Sequence, residues 1–168
     1  MTGTEMITRM EHSVQKVFFG LEPGETDTVY LVSAFHEPFV VAKHRIGERS
    51  IICPGKDQCP SCKQGERPEE FFCYTVFSEK YGRQIASWRF TKKGVLKRFH
   101  KRFKTLNPDG TASDAIKSMR GDTFTIERES GGFGYDVAFV DNRLDQVEGM
   151  QEYTPAEILA KMKGQGND

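Results

Sequence analysis

The chain lacks any long hydrophobic run, since no stretch approaches the roughly 20 apolar residues that cross a lipid bilayer. Its first residues, Met-Thr-Gly-Thr-Glu-Met, also lack the charged and apolar regions of a secretory signal. We therefore expect a cytoplasmic protein that does not associate with membranes. With 168 residues, the chain is long enough for one compact domain with a hydrophobic core and too short for two full domains.

Acidic residues are missing from one long segment, Tyr81–Thr105, although the formal net charge of the whole chain is zero. These 25 residues contain nine Lys or Arg and one His, and Lys80 precedes them. The flanking segments 1–79 and 106–168 each contain twelve acidic residues, against eight and six basic ones. Solvated helices usually interleave Glu with Lys, so a long segment of one sign indicates an anionic partner. Nucleic acid is the polyanion that such a cationic stripe typically binds.

Only four cysteines are present, and in the cytosol they stay reduced rather than forming structural disulfides. Three of them are clustered as Cys53-x5-Cys59-x2-Cys62. Two thiolates of a Cys-x-x-Cys turn can share one tetrahedral metal ion, so this spacing predicts a zinc site. The residues leave two candidates for the fourth ligand, which are Cys73 in the next apparent strand and His44 at the end of the preceding one.

The pattern of apolar residues indicates a mainly β (α+β) fold. Short stretches rich in Val, Phe and Tyr are separated by Gly and Pro turns, and they predict one domain over residues 16–140. Within it, residues 44–68 are poor in core residues and are expected to form a loop that the metal holds. Residues 1–15 are polar and without a clear period, so we expect a flexible N-terminal arm, and residues 141–168 form a C-terminal segment.

Two segments have the pattern of helices. Leu96, Phe99, Phe103 and Leu106 recur at helical spacing, which predicts a helix with one apolar face and basic residues over the rest of its surface. A short helix is also expected over 155–163, because an N-cap threonine, a proline and an acidic residue begin it.

Aromatic residues lie beside the cations, on and near the strands that precede the basic helix. Bases stack on such rings for about 1–3 kcal/mol each without sequence preference, which suits a single strand. Trp88 is also compatible with a place in the core. The predicted DNA-contacting residues are Tyr74, Tyr81, Arg83, Trp88, Arg89, Phe90, Lys92, Lys93, Lys97, Arg98, Lys101 and Arg102.

The run from His44 to Gly65, His-Arg-Ile-Gly-Glu-Arg-Ser-Ile-Ile-Cys-Pro-Gly-Lys-Asp-Gln-Cys-Pro-Ser-Cys-Lys-Gln-Gly, is followed by a strand pair and a basic segment. This order resembles the phage single-stranded-DNA-binding proteins of the helix-destabilising kind, which are built on an OB-fold carrying a zinc loop. The resemblance covers residues 15–140. It implies an OB-fold-like five-stranded barrel, a small zinc-binding loop subdomain, two or three short helices and one structural Zn²⁺. The implied zinc ligands are His44, Cys53, Cys59 and Cys62, which leaves Cys73 as a strand residue.

The resemblance also implies a function. We expect a non-enzymatic, non-sequence-specific single-stranded DNA-binding protein of phage DNA replication, recombination or repair, acting in the cytosol of an infected bacterial host. Its partners would be single-stranded DNA and phage replication or recombination proteins, with no small-molecule substrate. The alternative is a zinc-ribbon transcription or interaction module that binds duplex DNA, RNA or an acidic protein. An enzyme is not expected, because no carboxylate pair at metal-ligand spacing lies beside a His and the zinc site has no open position.

Overall fold

The computed structural model describes residues 18–33, 39–89, 93–109, 117–132 and 134–165. In these ranges the strands are β1 Thr26–Leu31, β2 Phe39–Ile46, β3 Arg49–Ile52, β4 Glu69–Ser78, β5 Gly82–Arg89, β6 Asp122–Arg128 and β7 Tyr135–Asn142. The helices are α1 Pro60–Lys63, α2 Lys93–Leu106 and α3 Pro155–Gln165, with a 3₁₀ turn at Leu144–Val147. A mainly β fold with a few short helices is thus confirmed. The expected arm, residues 1–15, lies outside the described residues.

All seven strands belong to one antiparallel sheet in which β4 is central. The sheet follows the order β3-β2-β4-β1-β6-β7, and β5 pairs with β4 outside this path. Along one edge of β4, β2 pairs with Glu69–Cys73 and β1 with Val76–Ser78. β5 pairs with Phe71–Ser78 and therefore occupies the other edge. β4 thus connects the β2–β3 hairpin with the rest of the sheet.

The expected five-stranded barrel needs correction, because the sheet has seven strands and its described residues do not close into a barrel. The chain before β1 takes part of the open edge of β5. The backbone N–H of Phe19 donates to the carbonyl of Ile85 (2.7 Å), and Phe18 forms a parallel bridge with Ile85. Arg128 of β6 donates through Nη1 to the carbonyl of Leu21 (2.6 Å). This short segment therefore contacts both β5 and β6, where strand pairing would otherwise continue.

The main core lies between the inner face of the sheet and α2. Alternate residues of β4, beginning with Phe72, and of β5, including Ala86, point into it. Phe99 and Phe103 of α2 are 0% and 9% exposed, so the apolar face of this helix packs as its spacing predicts. Four basic residues of α2, Lys97, Arg98, Lys101 and Lys104, consequently lie exposed on its outward side.

The opposite face of β4 and β5 is partly covered by α3. Ile158 of this helix is buried with Cys73 and Ile85. The helix begins with a capping box, in which Thr154 Oγ1 accepts from the N–H of Glu157 (3.2 Å) and the Glu157 carboxylate accepts from the N–H of Thr154 (3.3 Å). A helix was expected over 155–163, and α3 extends to residue 165. None of the described helices combines the length and apolar character needed to cross a membrane.

Candidate metal centre and cationic surface

Four side chains converge where β2, the end of β3 and α1 meet. The ligating atoms of His44, Cys53, Cys59 and Cys62 all lie within 4.8 Å of one another. His44 Nε2 is 3.2 Å from Cys62 Sγ, and the sulfurs of Cys53 and Cys62 are 3.6 Å apart. Donors at about 2.1–2.3 Å from a tetrahedral ion lie about 3.5–3.8 Å from one another, so a metal ion fits this cluster after small adjustments.

The local backbone explains why residues so far apart in the sequence meet. His44 is buried near the end of β2, and the N–H of Cys53 donates to the carbonyl of Ala42 (2.8 Å), which holds the end of β3 beside β2. The chain then turns at Gly55, whose φ of +121° is accessible mainly to glycine. Cys59 is the N-cap of α1, which begins with a proline. The hairpin and the short helix thus present their ligands to the same point.

The protonation behaviour of the thiols also favours a cation. The backbone N–H of Cys62 donates to the sulfur of Cys59, and this hydrogen bond lowers the pKa of Cys59. Burial and the adjacent sulfurs of Cys53 and Cys59 raise the pKa of Cys62 to about 12. Thiolates at this spacing repel one another unless a cation lies between them. A bound divalent ion would stabilise all three thiolates together.

Cys73 lies apart from this cluster. Its sulfur is 3.7 Å from Ser87 Oγ, and the side chain is buried with Ile85 beneath α3. Burial raises the pKa of the Cys73 thiol, which keeps it protonated. Of the two candidates for the fourth ligand, the structure therefore places His44, and not Cys73, beside the other three residues.

Two of the predicted base-stacking residues lie in the core. Tyr74 and Trp88 are 1% and 3% exposed, and their ring centroids lie 4.8 and 5.8 Å from that of Phe99. Both point to the inner face of the sheet, because successive side chains of a strand alternate between faces. The prediction that these two rings stack on bases is therefore wrong for this structure. For Trp88, the alternative of a core position is the one observed.

Tyr81 lies at the rim of the core. Its hydroxyl donates to Glu25 Oε1 (3.0 Å), and Lys80 forms an ion pair with the same carboxylate at 2.9 Å. The ring is half-buried and packs against the core. Tyr81 therefore fixes the β4–β5 turn onto the segment before β1, and its predicted stacking would use only the exposed part of the ring.

Arg83 and Arg89 are exposed at opposite ends of β5. Six residues of a strand span about 20 Å, so these two cations are not part of one compact cluster. The guanidinium carbon of Arg83 lies 4.2 Å from the ring centre of Tyr153, in the segment that leads to α3.

Three predicted cations of α2 line a cavity between this helix and β7. Arg98, Lys101 and Arg102 form part of its wall, and the cavity has a volume of about 390 Å³. Phe139 and Asp136 of β7 line the same cavity. The structure thus brings these three side chains together, but beside one carboxylate and two aromatic rings, those of Phe139 and the buried Phe124.

Arg102 differs from its two neighbours because it is already paired. Its Nε is 2.8 Å and its Nη2 3.3 Å from the two carboxylate oxygens of Asp122, which is completely buried. Asn142 also donates to this carboxylate at 2.9 Å, and the guanidinium of Arg102 lies 3.9 Å from the ring centre of Phe139. The charge of Arg102 is thus compensated within the protein, which makes it a structural residue more than a free phosphate contact.

The remaining predicted contacts are only partly described. Lys97 is exposed on α2. Phe90 and Lys92 lie outside the described residues, and Lys93 begins α2 with a side chain that also lies outside them.

The sequence pattern missed one aromatic residue, Phe71. It lies half-buried on the outer face of β4, with Lys43 Nζ 5.6 Å and the Arg89 guanidinium carbon 5.8 Å from its ring centre. Glu69 is 3.7 Å from Nε of Arg89. Lys43 is the residue before His44 in β2, so this group and the candidate metal centre lie on opposite faces of the same strand. The two-residue period of β4 puts Phe71 and Tyr74 on opposite faces of the sheet, but this apolar stretch carries no signal of which face is outward.

No protein-family model, curated protein or solved structure matches this chain. The likeness to phage single-stranded-DNA-binding proteins thus stays an expectation from the sequence. The case for a function must be made from the chain's own residues.

Proposed function

We propose that the protein binds single-stranded DNA without sequence specificity and serves phage DNA replication, recombination or repair in the cytosol of an infected bacterium. The phage setting comes from the sequence resemblance alone. The observation that carries DNA binding is the carboxylate-free segment Tyr81–Thr105, which presents six exposed cations. These are Arg83, Arg89, Lys97, Arg98, Lys101 and Lys104.

An OB-type arrangement is supported by five of the strands. β5, β4, β1, β6 and β7 are neighbours in that order, and α2 connects β5 with β6. The OB-fold is a partly open, five-stranded Greek-key barrel that binds oligonucleotides on its second and third strands and the adjoining loops. In this arrangement β4 and β5 take the places of the second and third strands. The β2–β3 hairpin and the metal cluster then form an insertion in the loop that precedes β4.

We assign Zn²⁺ to the cluster because three cysteines and one histidine are a usual donor set for structural zinc. Four protein ligands leave no open position for a substrate, so the ion would act as a structural element. It would hold the β2–β3 hairpin and α1 together beside the start of β4.

The test is binding of a 5′-labelled oligothymidine followed by fluorescence anisotropy over a salt series. If all six exposed cations meet single-strand phosphates, log K should fall with log salt at a slope of about −4, which weakens binding a few hundredfold between about 50 and 200 mM salt. A duplex of equal length is the control. Equal affinity for the duplex and the single strand would contradict the proposal.

A second candidate is docking of an acidic protein segment in the cavity between α2 and β7. This cavity combines Arg98 and Lys101 with the apolar Phe139, while Asp136 lowers its attraction for a chain of phosphates. This function predicts that oligothymidine does not bind even at about 50 mM salt, where phosphate contacts are strongest. The same titration therefore separates the two candidates.

A further inference from the structure

We propose that Phe71 is the ring on which a base of the single strand stacks, and that Lys43 and Arg89 contact the neighbouring phosphates. This inference rests on the proposed function and narrows it. Because α2 packs on the inner face of the sheet, a strand on the outer face meets Lys43 and Arg89 instead of the cations of α2. The magnitude of the salt slope is then smaller than the value of about 4 expected if all six exposed cations take part. The polymer would cross the outer face of β2, β4 and β5, on the side of β2 opposite His44.

The position of Phe71 supports this role. It pairs with Val41 of β2 on one side and Arg89 of β5 on the other, so its ring lies in the middle of a three-stranded surface. α3 covers Cys73 and Ile85 farther along the same face, whereas Phe71 remains half-exposed. A flat apolar ring is thus available at the margin of the covered region.

The charges around Phe71 suit a nucleic-acid strand. Lys43 and Arg89 both lie within 6 Å of the ring centre, and both come from strands that flank it. A base that stacks on the ring replaces one of these cations, which can then turn toward the adjoining phosphate. Glu69 lies 3.7 Å from Arg89, and its carboxylate should weaken binding slightly.

The other aromatic candidates are less suitable. Tyr74 and Trp88 are buried, and the hydroxyl of Tyr81 is hydrogen-bonded to Glu25. Phe139 is exposed, but the guanidinium of Arg102 covers its ring and is held there by its ion pair. Phe71 thus combines partial exposure with two flanking cations, the exposed Arg89, which lies 3.7 Å from Glu69, and the half-buried Lys43.

The first experiment separates the aromatic ring from its hydrophobicity. Phe71→Leu keeps an apolar side chain but removes the stacking surface, and it should weaken oligothymidine binding about tenfold, which corresponds to about 1.4 kcal/mol. Phe71→Trp restores the surface and should bind at least as tightly as the unmodified protein. Phe139→Leu is the matched control, because it removes an exposed ring beneath an arginine at a different site, and it should leave binding unchanged. Melting curves of all three variants establish that each is folded.

The second experiment tests the charges. Lys43→Gln and Arg89→Gln should each reduce the magnitude of the salt slope by about 0.7, because each removes one phosphate contact. Glu69→Gln should strengthen binding about twofold, since it removes the carboxylate that pairs with Arg89. Weaker binding by Lys43→Gln and Arg89→Gln together with tighter binding by Glu69→Gln would be difficult to explain by altered folding.

The outcomes separate this inference from the proposed function. If the unmodified protein binds oligothymidine and Phe71→Leu binds equally well, the assignment of Phe71 is wrong and the proposed function stands. If Phe139→Leu loses binding instead, the strand follows the cavity between α2 and β7, and the assignment is again wrong. If no oligothymidine binds at low salt, both are wrong.

Discussion

Metal removal should loosen the loop between β2 and β4 while the main core stays folded. Of residues 45–68, only Cys59 is buried, so hydrophobic packing contributes little to the order of this stretch. The main core consists of other residues, such as Phe72, Phe99 and Phe124, which do not contact the metal cluster. The loop and the core therefore depend on different interactions.

The free-energy cost of ordering residues 45–68 indicates how strongly metal removal should affect this loop. Fixing the backbone of one residue costs about 1–2 kcal/mol, so ordering more than twenty residues is expensive. Structural Zn²⁺ contributes roughly 10–16 kcal/mol in small zinc domains at neutral pH. Metal binding thus offsets a substantial part of this cost, and the backbone hydrogen bonds between β2 and β3 offset a further part.

Hydrogen exchange with mass spectrometry measures the order of the loop and of the core separately. After chelation, amides of residues 45–68 should exchange several orders of magnitude faster, while those of β1 and β6 keep their protection. Cys59→Ser should abolish stoichiometric metal binding, whereas Cys73→Ser should retain about one ion per chain, because its sulfur lies outside the cluster. Unchanged exchange after chelation, or loss of metal from Cys73→Ser, would refute the reasoning.

Three further predictions concern stability. Neither polar atom of the fully buried Gln84 side chain has a partner within the described residues, so Gln84→Met should raise the free energy of unfolding in urea by about 1–2 kcal/mol; a decrease would contradict this. Burial raises the pKa of Tyr74, so the folded state holds the phenolic proton more tightly than the unfolded state. Stability should therefore fall as the pH rises above about 10, and denaturation between pH 8 and 11.5 should show a smaller fall for Tyr74→Phe. Arg102→Gln leaves the buried Asp122 without its ion pair and should cost about 3 kcal/mol in thermal denaturation, whereas Lys101→Gln should change stability by less than about 0.5 kcal/mol.

The parts of the structure with a local signal could be predicted from the sequence. The spacing of Phe99 and Phe103 defines one apolar face of a helix, and that face is the one that packs against an apolar sheet. The cysteine spacing likewise indicates a metal turn whatever the rest of the fold. Both features depend on residues a few positions apart.

What depended on distant partners could not be predicted. Phe71-Phe72-Cys73-Tyr74 is apolar on both faces of β4, because α2 packs on one side and α3 on the other. Without alternation between polar and apolar residues, the sequence does not show which rings face outward. The sequence also does not show that Arg102 pairs with Asp122, twenty residues later. Arg102 was therefore grouped with the exposed cations, although it has a structural role.

The metal centre and the proposed stacking site share one strand, and this predicts that they are thermodynamically coupled. His44 would ligate the ion from β2, and Lys43, the residue before it, flanks the ring of Phe71 on the opposite face of the strand. Release of the ion should therefore loosen this end of β2 and let Lys43 move away from that ring. Chelation should therefore weaken oligothymidine binding, and a coupling of 1–3 kcal/mol corresponds to about 5- to 150-fold. Linkage requires the reverse effect of equal size, so saturating oligothymidine should raise the affinity for zinc, measured by competition with a chelator, by the same factor.

Phe71→Leu should reduce both effects together. Unequal factors would show that the chelator or the DNA acts at another site, and an unchanged affinity after chelation would show that β2 holds Lys43 in place without the ion.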